Sequence, residues 1–326
     1  MESKDISRRG FLSGSLAVLS GALLVSDNAF GLPAYIKNLG KPNSLFNGVQ
    51  VGVISYSWRS LPSSAEQVLQ YCIDSNISAI ELMGPAAESF AGAPESPAFI
   101  RGNLTDQQKA ERAEYAKKMA EWRASVSMDK FVQLRKMYKN AGVSIYGYKP
   151  NALGPNNTDA EVDYTFRAAK ALGANQATVE LPTDSAQSKR LGLIAAKHKI
   201  YVGYHGHLQQ TYTAWDEAIQ QSKYNAMNFD MGHYVAAGHD PIPLLTDKHQ
   251  HIVSMHTKDR KSKANGGANV PWGEGDTPIV EVLQMMRKNK YKFPATIELE
   301  YPVPDGSDAV KETAKCVEYA RKALGA

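Results

Sequence analysis

The chain has 326 residues and a formal net charge of +4 at pH 7, with 37 basic and 33 acidic side chains interspersed along it. This small positive excess does not indicate a nucleic-acid-binding surface, so we expect no nucleic acid partner. Cys72 and Cys316 each lie in an apolar helical pattern. That pattern predicts two buried thiols, although an oxidising compartment would permit a bridge.

The N-terminus has the layout of an export signal. Arg8 and Arg9 precede an apolar run at residues 12–25, and small residues follow near Ala29. The run has 14 residues, fewer than the roughly 20 that span a bilayer, which favours a signal over a stable membrane anchor. The paired arginines favour the Tat route. We therefore predict a Tat-type signal peptide at residues 1–31, an exported, periplasmic protein, and a single domain at residues 32–326.

Beyond residue 50, β-rich runs alternate with amphipathic stretches. Strands are predicted at 51–58, 79–83, 144–149, 177–181, 200–205, 226–230, 252–256 and 295–300. Helices are predicted after them at 65–74, 128–141, 159–172, 185–199, 214–221, 241–247, 277–290 and 308–324. Eight strands and eight helices predict an α/β protein with a closed (β/α)8 TIM barrel rather than an open sheet. No G-x-G-x-x-G motif follows the first strand, which argues against a dinucleotide fold.

One long insertion interrupts this alternation after the second strand. It is predicted to be irregular at 85–105 and to form a polar helix at 106–124. A loop that follows a barrel strand lies on the catalytic face. The insertion is therefore a candidate lid or oligomer contact, with surface decoration as the alternative.

Ionisable side chains end five consecutive predicted strands, at Glu180, His205, Asp230, His256 and Glu298. The C-terminal ends of barrel strands carry catalysis, and charged groups seldom interrupt apolar runs without a partner. A metal ion is the simplest such partner. Three carboxylates and one imidazole form a mostly oxygen ligand set, which favours Mn2+ or Mg2+ and is compatible with Co2+ or Zn2+.

The motifs at these strand ends resemble the xylose isomerase-like TIM barrel superfamily of sugar phosphate isomerases and epimerases. The resemblance covers residues 51–324. It is carried by Thr-Val-Glu-Leu-Pro, Asp-Met-Gly-His, Met-His-Thr-Lys-Asp-Arg, Thr-Ile-Glu-Leu-Glu and Trp-Gly-Glu-Gly-Asp. It implies that one divalent metal ion is held by four residues: Glu180, Asp230, His256 and Glu298.

The resemblance also implies the chemistry. A sugar or keto-sugar would be deprotonated beside its carbonyl to an enediolate, with Glu180 and Glu298 removing and returning the proton. The product would be that of an isomerase or epimerase. The same intermediate can expel a leaving group, so a keto-sugar lyase, hydratase or dehydratase, similar to inosose dehydratase, is the alternative. Dimers and tetramers are common among the relatives, which makes a homo-oligomer an open expectation.

Further strand-end side chains are predicted to contact the substrate: His205, His233, Lys258, Arg260 and Glu81. Of His205 and His207, we favour His205 in the site and place His207 behind it or in the loop. Lys258 and Arg260 could instead pair with Asp259, and an acid at Glu81 could form a salt bridge.

Two other classes remain open at this point. An endonuclease for abasic DNA shares the barrel, but the modest charge and the export signal argue against it. A non-catalytic sugar-binding barrel would have little use for a complete ligand set.

Overall fold

The computed structural model describes residues 40–98, 100 and 102–326. The predicted signal peptide lies outside these residues. Eight parallel strands form the barrel, and we number them β1 to β8 in chain order: Val49–Ile54, Ala79–Met83, Ser144–Lys149, Gln176–Glu180, Tyr201–His205, Asn225–Asp230, Ile252–Thr257 and Ala295–Ile297. A ninth, two-residue strand of the same sheet, Leu45–Phe46, pairs antiparallel with β1. Each strand pairs with the next, and β8 pairs with β1, where Ala295 lies beside Val51. The sheet therefore closes, and the predicted (β/α)8 barrel is confirmed.

The helices that surround the barrel are numbered in the same way. They are α1 Ala65–Asp74, α2 Gly84–Phe90, α3 Asp106–Ser125, α4 Asp129–Asn140, α5 Asp159–Leu172, α6 Ser185–His198, α7 Asp216–Gln221, α8 Met231–Ala236, α9 Pro241–Lys248, α10 Ile279–Asn289 and α11 Ala309–Ala323. Side-chain caps begin several of them; Thr158, for example, accepts a hydrogen bond from the amide of Glu161 at the start of α5. Within the described ranges, no helix is both long and apolar enough to cross a membrane.

Four details differ from the prediction. Strand β1 ends at Ile54 and continues as a 3-10 turn, Ser55–Trp58, and β8 ends at Ile297 rather than at residue 300. Helix α2 occupies part of the insertion that was expected to be irregular, and α8 follows β6 directly. Both helices have fewer than eight residues, too few to show a helical period in the sequence.

The interior of the barrel is polar and layered, because side chains two residues apart on a strand point to the same side. Gln176 and Thr178 on β4 face inward, as do Asn228 on β6 and Ser254 on β7. Ser254 donates to Gln176 Oε1 at 3.2 Å, and Asn228 donates to Ser254 Oγ at 2.9 Å. Hydrogen bonds across the barrel thus form the floor beneath the mouth, where the ionisable residues lie.

A buried ion-pair network attaches the insertion to the barrel. Arg123 on α3 is 5% exposed and contacts Glu88 on α2 and Glu161 on α5, each at 3.0 Å. Its guanidinium also donates to the carbonyl oxygen of Asn151 at 3.1 Å. The two carboxylates outweigh the effect of burial and raise the pKa of Arg123 above its usual range. The network fixes the C-terminal end of α3, whereas most of the helix N-terminal to Met119 is exposed.

The Arg123→Met substitution should lower the free energy of unfolding by about 3–5 kcal/mol, because it leaves two buried carboxylates without their partner. Urea unfolding followed by circular dichroism measures the loss. The matched control is Lys118→Met on the same helix, whose pair with Glu114 is 58% exposed on both sides. This control should change stability by less than about 1 kcal/mol. Equal effects of the two substitutions would show that the network does not hold the insertion.

Candidate metal centre

Four side chains at the mouth of the barrel place one donor atom each within 4.8 Å of one another: His205, Asp230, His256 and Glu298. They come from the ends of β5 to β7 and from the residue after β8. All four are buried, at most 7% exposed. His256 Nδ1 lies 2.9 Å from Glu298 Oε2 and 3.9 Å from Asp230 Oδ2, and His205 Nε2 lies 3.8 Å from the same Oδ2 atom.

The two imidazoles of this cluster are each held by the nitrogen that points away from it. His205 Nδ1 lies 2.9 Å from Asn228 Oδ1, and His256 Nε2 lies 3.0 Å from Glu81 Oε2. Asn228 Oδ1 accepts the ring proton of neutral His205, so His205 Nε2 is left with its lone pair facing the cluster. Burial opposes protonation of His256, but Glu298 and Glu81 outweigh it and raise the pKa of His256 to about 10. The Nδ1–H group of His256 therefore donates to Glu298 Oε2 in the metal-free protein, and a metal ion would replace that proton. Metal-binding histidines are held in this way in proteins.

Glu81 was predicted to contact the substrate or to form a salt bridge, and in the structure it pairs with His256. It is fully buried beneath the cluster, where Thr178 Oγ1 donates to Oε1 at 2.5 Å and Asn228 Nδ2 donates to Oε2 at 3.3 Å. Burial opposes ionisation, but His256 and the hydrogen bonds outweigh it and lower the pKa of Glu81. Both oxygens of Glu81 are thus engaged by protein groups, and Glu81 orients His256.

Asp230 and Glu298 supply the two carboxylates. Asp230 Oδ1 accepts the amide of His233 at 2.7 Å, which caps α8. Asp230 Oδ2 is fully buried, faces the cluster and is ion-paired to Lys258 Nζ at 3.0 Å, without a well-directed hydrogen bond. Burial disfavours the charged form of Glu298, but Lys258 and His256 outweigh it and hold the pKa of Glu298 well below its usual range. Both carboxylates are therefore available as anionic donors.

Lys258 lies against these carboxylates. Its Nζ atom is 2.6 Å from Glu298 Oε2, 2.7 Å from Glu300 Oε2 and 3.0 Å from Asp230 Oδ2. Only 3% of its side chain is exposed. Burial disfavours the ammonium, but the three carboxylates outweigh burial and raise the pKa of Lys258. The alternative pairing with Asp259 is not the one that the structure shows.

Glu180 lies apart from the four-donor cluster. Its side chain is 50% exposed and pairs with Lys149 Nζ at 2.9 Å and with His207 Nδ1 at 3.1 Å. Burial acts against the ionised form, but these two partners outweigh it and hold the pKa of Glu180 far below its usual range. His205, predicted to contact the substrate, occupies the fourth donor position instead.

His233 faces the same space from α8. Arg260 Nη1 donates to His233 Nδ1, so the neutral ring carries its proton on Nε2. Burial and the nearby Lys258 lower the pKa of His233 to about 3, which keeps the ring neutral. His233 Nε2 lies 3.9 Å from Asp230 Oδ2 and 3.8 Å from Glu300 Oε2 and has no hydrogen-bond partner. It is a buried donor that faces the cluster.

Arg260 itself is committed to protein contacts. Besides His233, its guanidinium donates to the carbonyl oxygen of Gly267, and the neighbouring Asp259 accepts the amides of Gly273, Gly275 and Thr277. A Cβ on Gly275 would lie 2.0 Å from Asp259 Oδ1, so only glycine fits there. The Trp-Gly-Glu-Gly-Asp motif thus fixes the loop that carries Arg260.

The donor set fits a divalent metal ion. Two imidazole nitrogens and two carboxylates converge, the ion would replace the proton on His256 Nδ1, and the carboxylates balance the charge of such an ion. The separations of 2.9–3.9 Å between donors match those around a small cation. Lys149, Asn228 and Glu300 were not identified from the sequence, although Asn228 shares one side of β6 with Asp230 and Glu300 lies two residues after Glu298.

Substitution of single donors separates His205 from Glu180. His205→Gln should weaken Mn2+ or Zn2+ binding by about a hundredfold or more, because a ligand is lost. Glu180→Gln should change the affinity for the metal ion by less than about tenfold, because Glu180 is not a ligand and contributes only its negative charge at the rim of the barrel. Isothermal titration calorimetry of the metal-free protein measures both. The reverse ranking would return Glu180 to the ligand set and remove His205.

Comparisons with other proteins agree with this fold. The family model for the xylose isomerase-like TIM barrel matches residues 111–320. A xylose isomerase domain protein from Planctomyces limnophilus is 16% identical, with a TM-score of 0.59 over 85% of this chain and 99% of that one. The probable 3-DHS dehydratase from Bacillus anthracis is 16% identical, with a TM-score of 0.56 over 83% and 98%.

D-Psicose 3-epimerase from Clostridium cellulolyticum H10 is 11% identical, with a TM-score of 0.58 over 85% of this chain and 99% of that one. Identities this low show a shared fold alone. A search of curated proteins by similarity finds no match. Because the family model covers most of the chain, we conclude that the chain belongs to the xylose isomerase-like TIM barrel family.

Proposed function

We propose that this protein is a divalent-metal-dependent enzyme that isomerises or epimerises a sugar or keto-sugar. One observation carries the proposal: four buried donors meet at the mouth of the barrel, and the outward nitrogens of both imidazoles are already engaged. A bound divalent ion would supply a Lewis acid that stabilises negative charge on a substrate oxygen. His205, Asp230, His256 and Glu298 would hold it.

The composition of this donor set bears on which metal is bound. With His205 in place of Glu180, the set has two imidazoles and two carboxylates rather than one and three. Imidazole suits Zn2+ and other transition metals, whereas Mg2+ prefers oxygen donors and near-octahedral geometry. Mn2+ accepts both kinds of donor and remains the first candidate, followed by Co2+ and Zn2+, with Mg2+ last.

Two groups are suited to moving the substrate proton. Glu298 lies at the cluster, and Glu180 forms a carboxylate–imidazole pair with His207 at the rim. The side chain of His207 is 48% exposed, so this pair is in contact with solvent. We assign proton removal and return to Glu298 and to the Glu180–His207 pair, which face the mouth from different strands. Lys149 keeps Glu180 ionised beside His207.

Elimination from a keto-sugar is the second candidate. Two hydrogen-bond donors face the cluster, namely Lys258 Nζ and the Nε2–H group of neutral His233. The Lys258 ammonium could give its proton to a departing oxygen, and His233 could donate a hydrogen bond to that oxygen. A lyase or dehydratase requires such help and a simple epimerase does not. The family relatives include both an epimerase and a probable dehydratase.

The Glu298→Gln substitution tests the proposed chemistry, because it removes a donor and a proton-transfer group together. Turnover in a screen of aldoses, ketoses and keto-sugars with Mn2+ should fall at least a hundredfold, in line with the loss of a general acid–base group. The matched control is Glu281→Gln on α10, an exposed acid that should leave turnover unchanged.

Products of the same screen separate the two reactions. In 2H2O, an isomerase or epimerase product carries one solvent deuteron at the reacting carbon and keeps the substrate's formula, whereas an elimination product has lost its leaving group. Full activity of Glu298→Gln, or of a sample stripped by a chelator, would contradict the proposed function.

We also propose that the protein is exported by the Tat route, which rests on the twin arginine and the short apolar run alone. Replacement of Arg8 and Arg9 by lysine should keep the protein in the cytoplasm, as immunoblots of cell fractions would show. Periplasmic accumulation of the double-lysine variant would count against this route.

A further inference from the structure

The ammonium of Lys258 and the four-donor cluster share two oxygen atoms. Glu298 Oε2 and Asp230 Oδ2 face the imidazoles of His256 and His205, and the same two atoms lie 2.6 and 3.0 Å from Lys258 Nζ. A carboxylate oxygen that is ion-paired to an ammonium is a weaker donor to a second cation, and the two cations repel each other.

The position of Lys258 is built into the backbone. A Cβ on Gly232 would lie 2.3 Å from Lys258 Cγ and 2.7 Å from its carbonyl oxygen. The stem of the lysine therefore passes directly over the first turn of α8, where only glycine leaves room for it. Gly232 belongs to the Asp-Met-Gly-His motif, so this motif accommodates Lys258 as well as carrying Asp230 and His233.

Glu300 completes the arrangement. It lies 2.7 Å from Lys258 Nζ, is outside the four-donor cluster and has 21% of its side chain exposed. It is thus the one carboxylate of the three around Lys258 that a metal ion would leave free. When a metal takes Asp230 and Glu298, Glu300 remains as an anionic partner for the ammonium.

We propose that Lys258 competes with the metal ion for Asp230 and Glu298, and that Glu300 is the positioning residue that retains the ammonium when the metal binds. This inference rests on the metal site of the proposed function. It makes Lys258 an internal counter-ion of the metal-free protein, which together with His256 balances the charges of Asp230, Glu298 and the partly exposed Glu300. When the metal ion binds, the Lys258 ammonium would therefore stay in the site, paired with Glu300.

Two opposite changes in metal affinity follow. Lys258→Met keeps the stem and removes the charge, so the metal-free protein should bind Mn2+ about tenfold more tightly or better. Glu300→Gln should weaken Mn2+ binding by about threefold or more, because the ammonium then depends on Asp230 and Glu298 alone. In the Lys258→Met background, Glu300→Gln should have a smaller effect, since the residue through which it acts is gone.

Mn2+ titration of the metal-free full-length protein, with free Mn2+ measured by electron paramagnetic resonance, gives these dissociation constants without reference to turnover. Lys149→Met is the matched control. It removes another lysine at the barrel mouth, one that is 17% exposed and pairs with Glu180 rather than with a donor, and its effect should be clearly smaller.

The outcomes separate this inference from the proposed function. If neither the parent protein nor Lys258→Met binds Mn2+, the metal site itself is wrong, and this inference fails with it. If the parent binds Mn2+ and Lys258→Met binds it no more tightly than Lys149→Met, only the competition is wrong. Should Lys258→Met not fold, Glu300→Gln decides alone: unchanged or tighter binding would overturn the proposal.

Discussion

The hydrogen bond between Glu81 and His256 is the interaction on which the rest of the site depends. It joins the floor of the barrel to its mouth, because Glu81 accepts hydrogen bonds from Thr178 and Asn228 in the floor and also accepts the Nε2–H group of His256 at the mouth. Without that carboxylate, the His256 ring would be free to present either nitrogen. With it, Nδ1 faces Glu298 and Asp230, and the buried charges of the site are arranged around one point.

The layering of the barrel explains why the floor and the site belong to one network. Inward positions two residues apart carry Asn228 and Asp230 on β6, and Ser254, His256 and Lys258 along β7 and beyond it. The lower members bond to one another, and the upper members face the mouth. These two strands thus each supply a floor residue that forms hydrogen bonds across the barrel and, two residues later, a residue of the metal site on the same side of the strand. The polar core is tolerated because its members are hydrogen-bonded across the barrel.

The fold was predictable from the sequence because it depends on a repeated pattern. Eight apolar runs that alternate with amphipathic helices admit few topologies, and the strands lie within a few residues of the predicted ranges. Helices α2 and α8 were missed because they are short: α8 has six residues, and its start is set by the side chain of Asp230 rather than by any apolar period. Local capping of this kind is visible only once the chain is folded.

The site was predictable only to the level of strand ends. The family resemblance placed Glu180 with Asp230, His256 and Glu298 and assigned His205 to the substrate, whereas the four-donor cluster of the structure has His205 in place of Glu180. These two residues are register partners on β4 and β5, so both reach the mouth at the same level. What separates them is a contact distant in sequence: Lys149 at the end of β3 draws the carboxylate of Glu180 to the rim, and Asn228 holds His205 inward. For Glu81 the sequence left a substrate contact and a salt bridge open, because its partner, His256, lies 175 residues away.

The proposed metal site consists of two imidazoles and two carboxylates. X-ray absorption spectroscopy of the Co2+- or Zn2+-loaded protein tests this composition directly, because imidazole rings give a characteristic multiple-scattering signal that counts them. We expect nitrogen and oxygen ligands with two imidazoles, from His205 and His256. A spectrum with one imidazole would contradict it and would place a carboxylate such as Glu180 in the shell instead.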